Sequence, residues 1–249
     1  EIASEIQNHV NKMYDQYAIH FHNTIDHRWQ IKQEYVAKSG LWIAKKRYAQ
    51  WVIFKEGKPT NKLDIKGLDV VRSSFPTEFK TIMKETLWYI LKEKSKTDTT
   101  DLIMDFKDKI KDANILDVMK NTGVKNITKY IKKRKPLSGY ISGTPVHVKS
   151  SINYNDMLYH LGISNRIESI NDGDKIKWAY LKTNSMGFDT IALKGYEDPE
   201  QLTEFVEKFI DRNKIFDREI RGKLDDFYAS MNWDKLPENN NVNKFFSFG

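Results

Sequence analysis

Residues 40–49 read Gly-Leu-Trp-Ile-Ala-Lys-Lys-Arg-Tyr-Ala, and residues 66–76 read Lys-Gly-Leu-Asp-Val-Val-Arg-Ser-Ser-Phe-Pro. The first stretch lies in a predicted strand over residues 41–55, where successive side chains point to opposite faces of a sheet. Because burying unpaired charge is costly, at least one face of the Lys45–Tyr48 run is expected to be solvated or to contact an anion. The alternative is an edge strand whose lysines only keep it soluble.

The second stretch combines the groups that commonly bind a phosphate. Arg72 supplies a cation, Ser73 and Ser74 supply adjacent hydroxyls, and Pro76 marks the start of a predicted helix whose first amides are free to donate. The alternative is a plain strand–loop–helix junction in which the serines cap the helix.

Hydrophobic periodicity on both sides of these stretches predicts an α+β fold. Upstream it predicts a helix, a turn at residues 38–40 and a small antiparallel sheet: helix 1–27, strands 29–37 and 41–55, and a short strand around Leu63 and Ile65. Downstream it predicts a mainly helical region with one β-hairpin. The predicted helices are 76–94, 102–110, 124–131 and 146–161, and the predicted strands of the hairpin are 176–180 and 190–193. Two more helices follow, one begun by Asp198-Pro199-Glu200 and capped by Asp198, and another reaching Met231. A polar linker over residues 232–243 precedes an aromatic end.

Composition narrows the classes of protein and partner. The chain has 249 residues, 39% of them hydrophobic, which is enough for a folded core, and no apolar run long enough to span a bilayer. A net charge of +7 favours a polyanionic partner, with nucleic acid ahead of a membrane. The absence of cysteine excludes disulfides and thiolate zinc sites, and it is compatible with the cytoplasm. Because Glu1 lies inside a periodic helix, the chain is expected to be a fragment or one half of a split protein.

Taken together and in this order, the two stretches resemble the palm–thumb junction of family B DNA polymerases. Three further segments are similar to the phage replicative branch of that family: 145–155 to part of its thumb, 173–181 to a later hairpin, and 243–249 to its clamp-binding tail. The resemblance covers nearly the whole chain, is strongest over 29–76 and is weakest between 95 and 140.

The resemblance implies a division into domains and an activity. Residues 1–72 would be the end of the palm, 73–240 a DNA-gripping thumb, and 241–249 a tail that docks on a sliding clamp. The family extends primers by two-metal nucleotidyl transfer, with Mg²⁺ held by paired palm aspartates. Their Tyr-Gly-Asp-Thr-Asp strand has no match here, so the chain alone is expected to bind no metal and to need an upstream exonuclease, palm and fingers portion.

The resemblance also assigns expected roles to single residues. Glu34 would face the metal site as a further catalytic carboxylate, although an ordinary surface acid is the alternative. The three tail aromatics would bind the clamp: Phe245, Phe246 and Phe248. The expected contacts to primer–template DNA, at the minor groove or the phosphates, are Lys45, Lys46, Arg47, Tyr48, Lys66, Arg72, Ser73, Ser74, His147, Lys149 and Tyr154.

The resemblance also implies that the enzyme acts in viral DNA replication, in the host cytoplasm. Two other interpretations of the chain stay open. One is a natural subunit of a split polymerase, which works only after assembly with its upstream partner. The other is a non-enzymatic DNA-binding protein that contacts a clamp. His20, His22 and His27 do not share a helical face, and are therefore expected to be surface residues instead of metal ligands.

Overall fold

The computed structural model describes residues 2–132 and 137–237, and it has the predicted α+β architecture. The strands, each antiparallel to its neighbour, are β1 (Tyr35–Ala44), β2 (Arg47–Lys55), β3 (Lys58–Lys66), β4 (Lys120–Gly123), β5 (Ile131–Lys132), β6 (Gly139–Tyr140), β7 (Lys175–Tyr180) and β8 (Thr190–Leu193). The helices are α1 (Ile2–His22), α2 (Thr77–Leu91), α3 (Lys96–Lys109), α4 (Ile115–Val118), α5 (Ile127–Tyr130), α6 (Val146–His160), α7 (Glu200–Phe209), α8 (Arg212–Phe216) and α9 (Gly222–Ser230).

The N-terminal sheet has the strand order β1-β2-β3, and its first turn is not where the sequence predicts it. Residues 38–40 lie within β1, and the chain reverses instead at Lys45 and Lys46, between the paired residues Ala44 and Arg47. Lys46 adopts the left-handed conformation, with φ of 62°, which a tight turn requires. The predicted single strand over 41–55 is therefore two strands joined by a turn.

The predicted strand over 29–37 is also largely wrong, because β1 begins only at Tyr35. The chain from residue 23 to 34 runs back along α1 and satisfies its backbone with side chains of that helix. Asn11 donates to the Ile31 carbonyl (3.1 Å) and accepts from the Ile31 amide (2.9 Å), and Gln7 accepts from the Gln33 amide (2.7 Å). Helix side chains take the place of the strand partner that the alternating pattern predicts.

One hydrophobic core joins the sheet to the helices that follow it. Leu41 and Ala49 of the sheet are buried with Phe79, Ile82 and Leu87 of α2, so the core is continuous across residue 72. The predictions of α2, α3 and α6 are confirmed. None of the helices in residues 2–132 and 137–237 is both long and apolar enough to cross a membrane.

The C-terminal part contains a second small sheet, of order β4-β7-β8, packed against α6. The predicted hairpin of β7 and β8 is confirmed, but the third strand, β4, was not predicted. The predicted helix over 124–131 is reduced to the single turn α5. Asp198 does not cap α7, because its carboxylate accepts from the Lys194 and Gly195 amides instead.

Candidate nucleic-acid interface

The turn at Lys45 and Lys46 presents two free lysines. Both side chains are exposed, and neither has an acidic partner among the residues that the structure describes. Because they occupy the tip of a hairpin instead of neighbouring strand positions, strict alternation between faces does not apply to them. Both ammonium groups are therefore free to bind anions at this end of the sheet.

Gly67 brings the two sequence stretches together in space. It follows directly after β3, has φ of +67°, and lies so close to the turn that a Cβ atom built on it would come within 2.0 Å of the Lys46 carbonyl oxygen. Only glycine tolerates both that conformation and that approach. In the strand register Lys66 lies opposite Tyr48. The start of the second motif thus lies against the turn of the first at one end of the sheet.

One face of this end of the sheet is left open. Trp42, Tyr48 and Lys66 are opposite one another across the three strands, so their side chains form a row on a single face. Trp42 is 62% exposed, whereas Leu41 and Ala49 on the other face are buried. Trp42 was not among the residues predicted from the sequence to contact DNA. Alternation along the predicted strand puts Trp42 on the same face as Tyr48, and this could have indicated it.

A cleft of about 210 Å³ continues from this row along the same face, lined by Glu34, Tyr35, Tyr48, Val52, Lys55, Thr60, Lys62, Leu63, Asp64 and Lys66. Burial, followed by the neighbouring Tyr48, raises the pKa of Tyr35, and Asp64 and Glu34 act in the same direction. The Lys66 ammonium lies 3.6 Å from an Asp64 oxygen. The cleft is therefore polar and holds both signs of charge.

Glu34 sits at the edge of this cleft, just before β1, with an exposed side chain. Its carbonyl accepts from the Glu56 amide (3.0 Å), which fixes the backbone at that point. In the described part of the chain no three acidic or histidine side chains are grouped in a way that could hold a metal ion. Glu34 is therefore a single exposed carboxylate at the edge of the cleft.

The segment before α2 keeps its phosphate-binding groups available. Pro76 occupies the N-cap of α2 with no side chain bonded to the first helical amides, so Ser73 and Ser74 do not cap the helix. Ser73 is exposed and Ser74 is half-buried, with its carbonyl accepting from Asn121. Arg72 is 67% exposed and forms an ion pair with Asp69 (2.7 Å).

Arg47, by contrast, contacts an acid from the far end of the chain. Its guanidinium donates to the Asp226 carboxylate of α9 at 3.3 Å, and both side chains are partly exposed. Three residues earlier on the same helix, the Lys223 ammonium lies 3.8 Å from Asp69. Arg47 is thus engaged within the molecule, whereas Lys45 and Lys46 beside it have no such partner in the described residues.

The three expected contacts on α6 have different surroundings. His147 is half-buried, and burial together with Lys120 lowers its pKa. Lys149 binds Asp189 (2.9 Å) and lies over the Tyr140 ring. Burial lowers its pKa, but Asp189 and Tyr140 together outweigh burial, so the pKa of Lys149 is raised.

Tyr154 is fully buried, and burial followed by Asp198 raises its pKa. The expectation that Tyr154 contacts DNA is therefore corrected: its ring belongs to the core. Phe245, Phe246 and Phe248 lie outside the described residues.

The site offers three kinds of group. They are free ammonium groups at a hairpin tip, a row formed by Trp42, Tyr48 and Lys66 on the sheet, and hydroxyls with uncapped helix amides next to Arg72. This is a surface suited to a double-stranded polyanion, with cations for phosphates and a flat face for sugars and base edges.

Comparison with known proteins identifies the family of the chain. No curated protein matches the chain. The model of the DNA polymerase family B matches residues 1–225, which is most of the sequence and includes both motifs, the sheet and nearly all described helices. The chain therefore belongs to family B of the DNA polymerases.

Proposed function

We propose that this chain is the C-terminal palm and thumb portion of a phage-type replicative DNA polymerase, and that it grips the primer–template duplex. The observation that carries the proposal is the meeting of the two motifs at Gly67. This contact brings the free Lys45–Lys46 turn to the end of the Trp42–Tyr48–Lys66 row, and the Arg72–Ser74 segment follows a few residues after Gly67.

The chemistry of this region suits a copying enzyme. Every Watson–Crick pair presents acceptors in the minor groove at nearly the same places, so a lysine there senses the shape of a pair without reading its sequence. Lys45 and Lys46 would reach the minor groove and an adjacent phosphate. Arg72, Ser73 and Ser74, with the first amides of α2, would hold the primer backbone.

Nucleotidyl transfer itself would take place with residues outside this chain. Mg²⁺, when bound by the complete enzyme, stabilises charge on the attacking and leaving oxygens. The role of this chain is to orient the primer terminus, with Glu34 beside the site. The Phe245–Phe248 tail would dock on a sliding clamp, and the enzyme would replicate viral DNA in the host cytoplasm.

Helix α1 supports assembly with an upstream portion. Its apolar residues are unusually exposed for their type: Ile2 73%, Ile6 56%, Met13 54% and Phe21 72%. An exposed apolar stripe of this length commonly marks an interface. Mixing the chain with a matching upstream exonuclease, palm and fingers portion should restore primer extension, and this outcome would also distinguish a polymerase subunit from a DNA-binding protein of separate function, which would stay inert.

The grip on the duplex is tested by replacing both lysines of the turn. Because binding rests on phosphate contacts and local ammonium hydrogen bonds, Lys45→Ala with Lys46→Ala should weaken duplex affinity about tenfold at low salt and flatten the slope of log K against log salt by roughly 1 to 2. The measurement is fluorescence anisotropy with a labelled primer–template across a salt titration.

The matched control removes two exposed lysines that lie away from this end of the sheet. Lys58 begins β3 at the opposite turn and Lys84 lies on α2, and neither lines the cleft. Lys58→Ala with Lys84→Ala makes the same change in net charge, and should leave the salt slope close to that of the parent. Equal effects of the two double variants would mean that only net charge matters, and would refute a specific role for the Lys45–Lys46 turn.

A further inference from the structure

Two ion pairs connect the region of the N-terminal sheet to α9, and α9 supplies the acid of one pair and the cation of the other. The cation Arg47 lies on β2 and the acid Asp69 lies in the short helical turn after β3, while α9 supplies the acid Asp226 and the cation Lys223. Arg47 lies 3.3 Å from Asp226, and Lys223 lies 3.8 Å from Asp69. We call these four residues the sheet–helix clasp.

The clasp is built into rigid parts of the fold. Lys223 and Asp226 are three positions apart on α9, so they project from one face of the helix, while Leu224 and Phe227 on the other side are buried. The Lys223 ammonium also lies 5.5 Å from the centre of the Phe75 ring, just before α2.

On the sheet side, Arg47 is the first residue of β2 and comes directly after the lysine turn. Gly67 lies against the turn, because a Cβ atom added to it would also fall 3.3 Å from Arg47 Cγ, and two residues later the chain reaches Asp69. The two anchoring points on the sheet are therefore fixed relative to Lys45 and Lys46.

From this geometry we propose that Arg47 is a positioning residue that, through Asp226, fixes the orientation of the lysine turn against the thumb. This inference rests on the proposed function, since it concerns how the same turn meets DNA. It gives Arg47 a different role from its neighbours in the Lys-Lys-Arg-Tyr motif: the two lysines bind the duplex, and the arginine holds them in place.

The direction in which Asp226→Asn changes duplex affinity distinguishes this role from a simple effect of net charge. Asp226→Asn removes a negative charge close to a surface that binds a polyanion, so charge alone predicts tighter binding. Loss of the clasp predicts weaker binding. Partly exposed ion pairs contribute modestly, so we expect Asp226→Asn to weaken duplex binding about two- to fivefold. The control Glu85→Gln removes an exposed acid of α2 outside the clasp and should change affinity little.

Exchanging the charges of Arg47 and Asp226 distinguishes a positioning role of Arg47 from a direct phosphate contact. Arg47→Asp alone should weaken binding more than Asp226→Asn does, because it breaks the pair and adds a negative charge. Arg47→Asp combined with Asp226→Arg restores a pair of reversed polarity, and should recover affinity to within about threefold of the parent. A direct phosphate contact of Arg47 would not recover in this double variant, since position 47 would still carry a carboxylate.

A measurement without DNA tests the clasp separately from the proposed function. The chain has no cysteine, so spin labels can be placed at Ala44→Cys, next to the turn, and Glu204→Cys on α7, both exposed. The label–label distance distribution should be narrow in the parent, broader in Asp226→Asn and narrow again in the exchanged pair.

Each outcome has a distinct meaning. Failure of the parent chain to bind duplex would refute the proposed function, while the distance distributions would still decide whether the clasp exists. Tighter or unchanged duplex binding by Asp226→Asn, or distributions that do not respond to it, would overturn the positioning role of Arg47.

Discussion

Replacing Gly67 with alanine tests the contact on which the candidate interface depends. Gly67 has φ of +67°, and an added Cβ would lie 2.0 Å from the Lys46 carbonyl oxygen, an atom of the backbone that no side-chain rotation can move away. Gly57 is a matched control, because it also has positive φ, +82°, but has nothing within 4 Å of an added Cβ. Gly57 lies in the β2–β3 turn at the opposite end of the same sheet.

The expected magnitudes follow from this difference. At Gly57, alanine meets only the cost of the left-handed conformation, about 1 to 2 kcal/mol, partly offset by a more restricted unfolded chain. At Gly67 the same conformational cost applies, and the steric overlap adds roughly 1 to 3 kcal/mol, because the turn or the end of β3 must shift. In a chain of this size, that extra destabilisation corresponds to a further fall in Tm of about 2 to 12 °C.

The assay is thermal unfolding followed by circular dichroism, together with duplex binding by anisotropy. Gly67→Ala should show the larger fall in Tm and also weaker binding, because the lysine turn is displaced. Gly57→Ala should show the smaller fall in Tm with unchanged affinity. If both variants lose the same stability and bind equally well, the close approach of Gly67 to the turn does not hold the two motifs together.

Two further predictions concern pH. Burial raises the pKa of Asp156, and the Ser138 amide that donates to its carboxylate only partly opposes this rise. The stability that the protonated Asp156 contributes is therefore present below the unfolded pKa and is lost as pH rises through the folded pKa. Asp156→Asn should therefore raise Tm at about pH 8 and lose this advantage near about pH 4; an equal effect at both would contradict the assignment. Burial and, to a smaller extent, Lys120 lower the pKa of His147. The stability that the neutral imidazole contributes is therefore present above the unfolded pKa and is lost as pH falls through the folded pKa. His147→Gln should reduce the loss of stability between about pH 7 and pH 5, and an unchanged pH profile would argue against the burial of this imidazole.

Elements with strong local patterns were predictable from the sequence. Helices α2 and α6 follow a proline at the position before their first turn and carry apolar residues at helical spacing. Strand β7 carries Ile176, Trp178 and Tyr180 at alternate positions, and a turn-forming segment joins it to the short, wholly buried β8. In each case the local signal and the tertiary structure agree, so local patterns were enough.

The prediction of the first turn of the sheet is wrong because it relied on a glycine, Gly40, that lies within a strand. Gly40 suggested a turn at residues 38–40, but it lies inside β1, where a Cβ would come within 2.4 Å of the Trp42 ring. Gly40 provides room for an indole ring lying across the strand. In the observed turn Lys46 has a left-handed conformation that lysine seldom adopts. The residue type therefore does not indicate a turn at this position.

Other features depend on partners distant in sequence. Strand β4, reading Lys-Asn-Thr-Gly, has no apolar alternation and exists because it pairs with β7. The Arg47–Asp226 pair joins residues 179 positions apart. Tyr154 lay in a segment that resembled a DNA-contacting motif, but whether a tyrosine points to solvent or to the core is set by the packing of α6, which a single sequence does not encode locally.

The internal ion pairs of several expected DNA contacts do not conflict with the proposed grip. Lys66 and Arg72 are each paired with an acid only two or three residues away, and both cations remain more than half exposed. Exposed pairs of this kind contribute about 0 to 1 kcal/mol, because water screens them and both side chains keep other conformations. A phosphate offers a charge-assisted bond at least as strong and releases condensed counterions when it binds, so exchanging the carboxylate for a phosphate is favourable at low salt. Arg47 differs in that its acid comes from another part of the fold, so breaking that pair would also release a structural constraint.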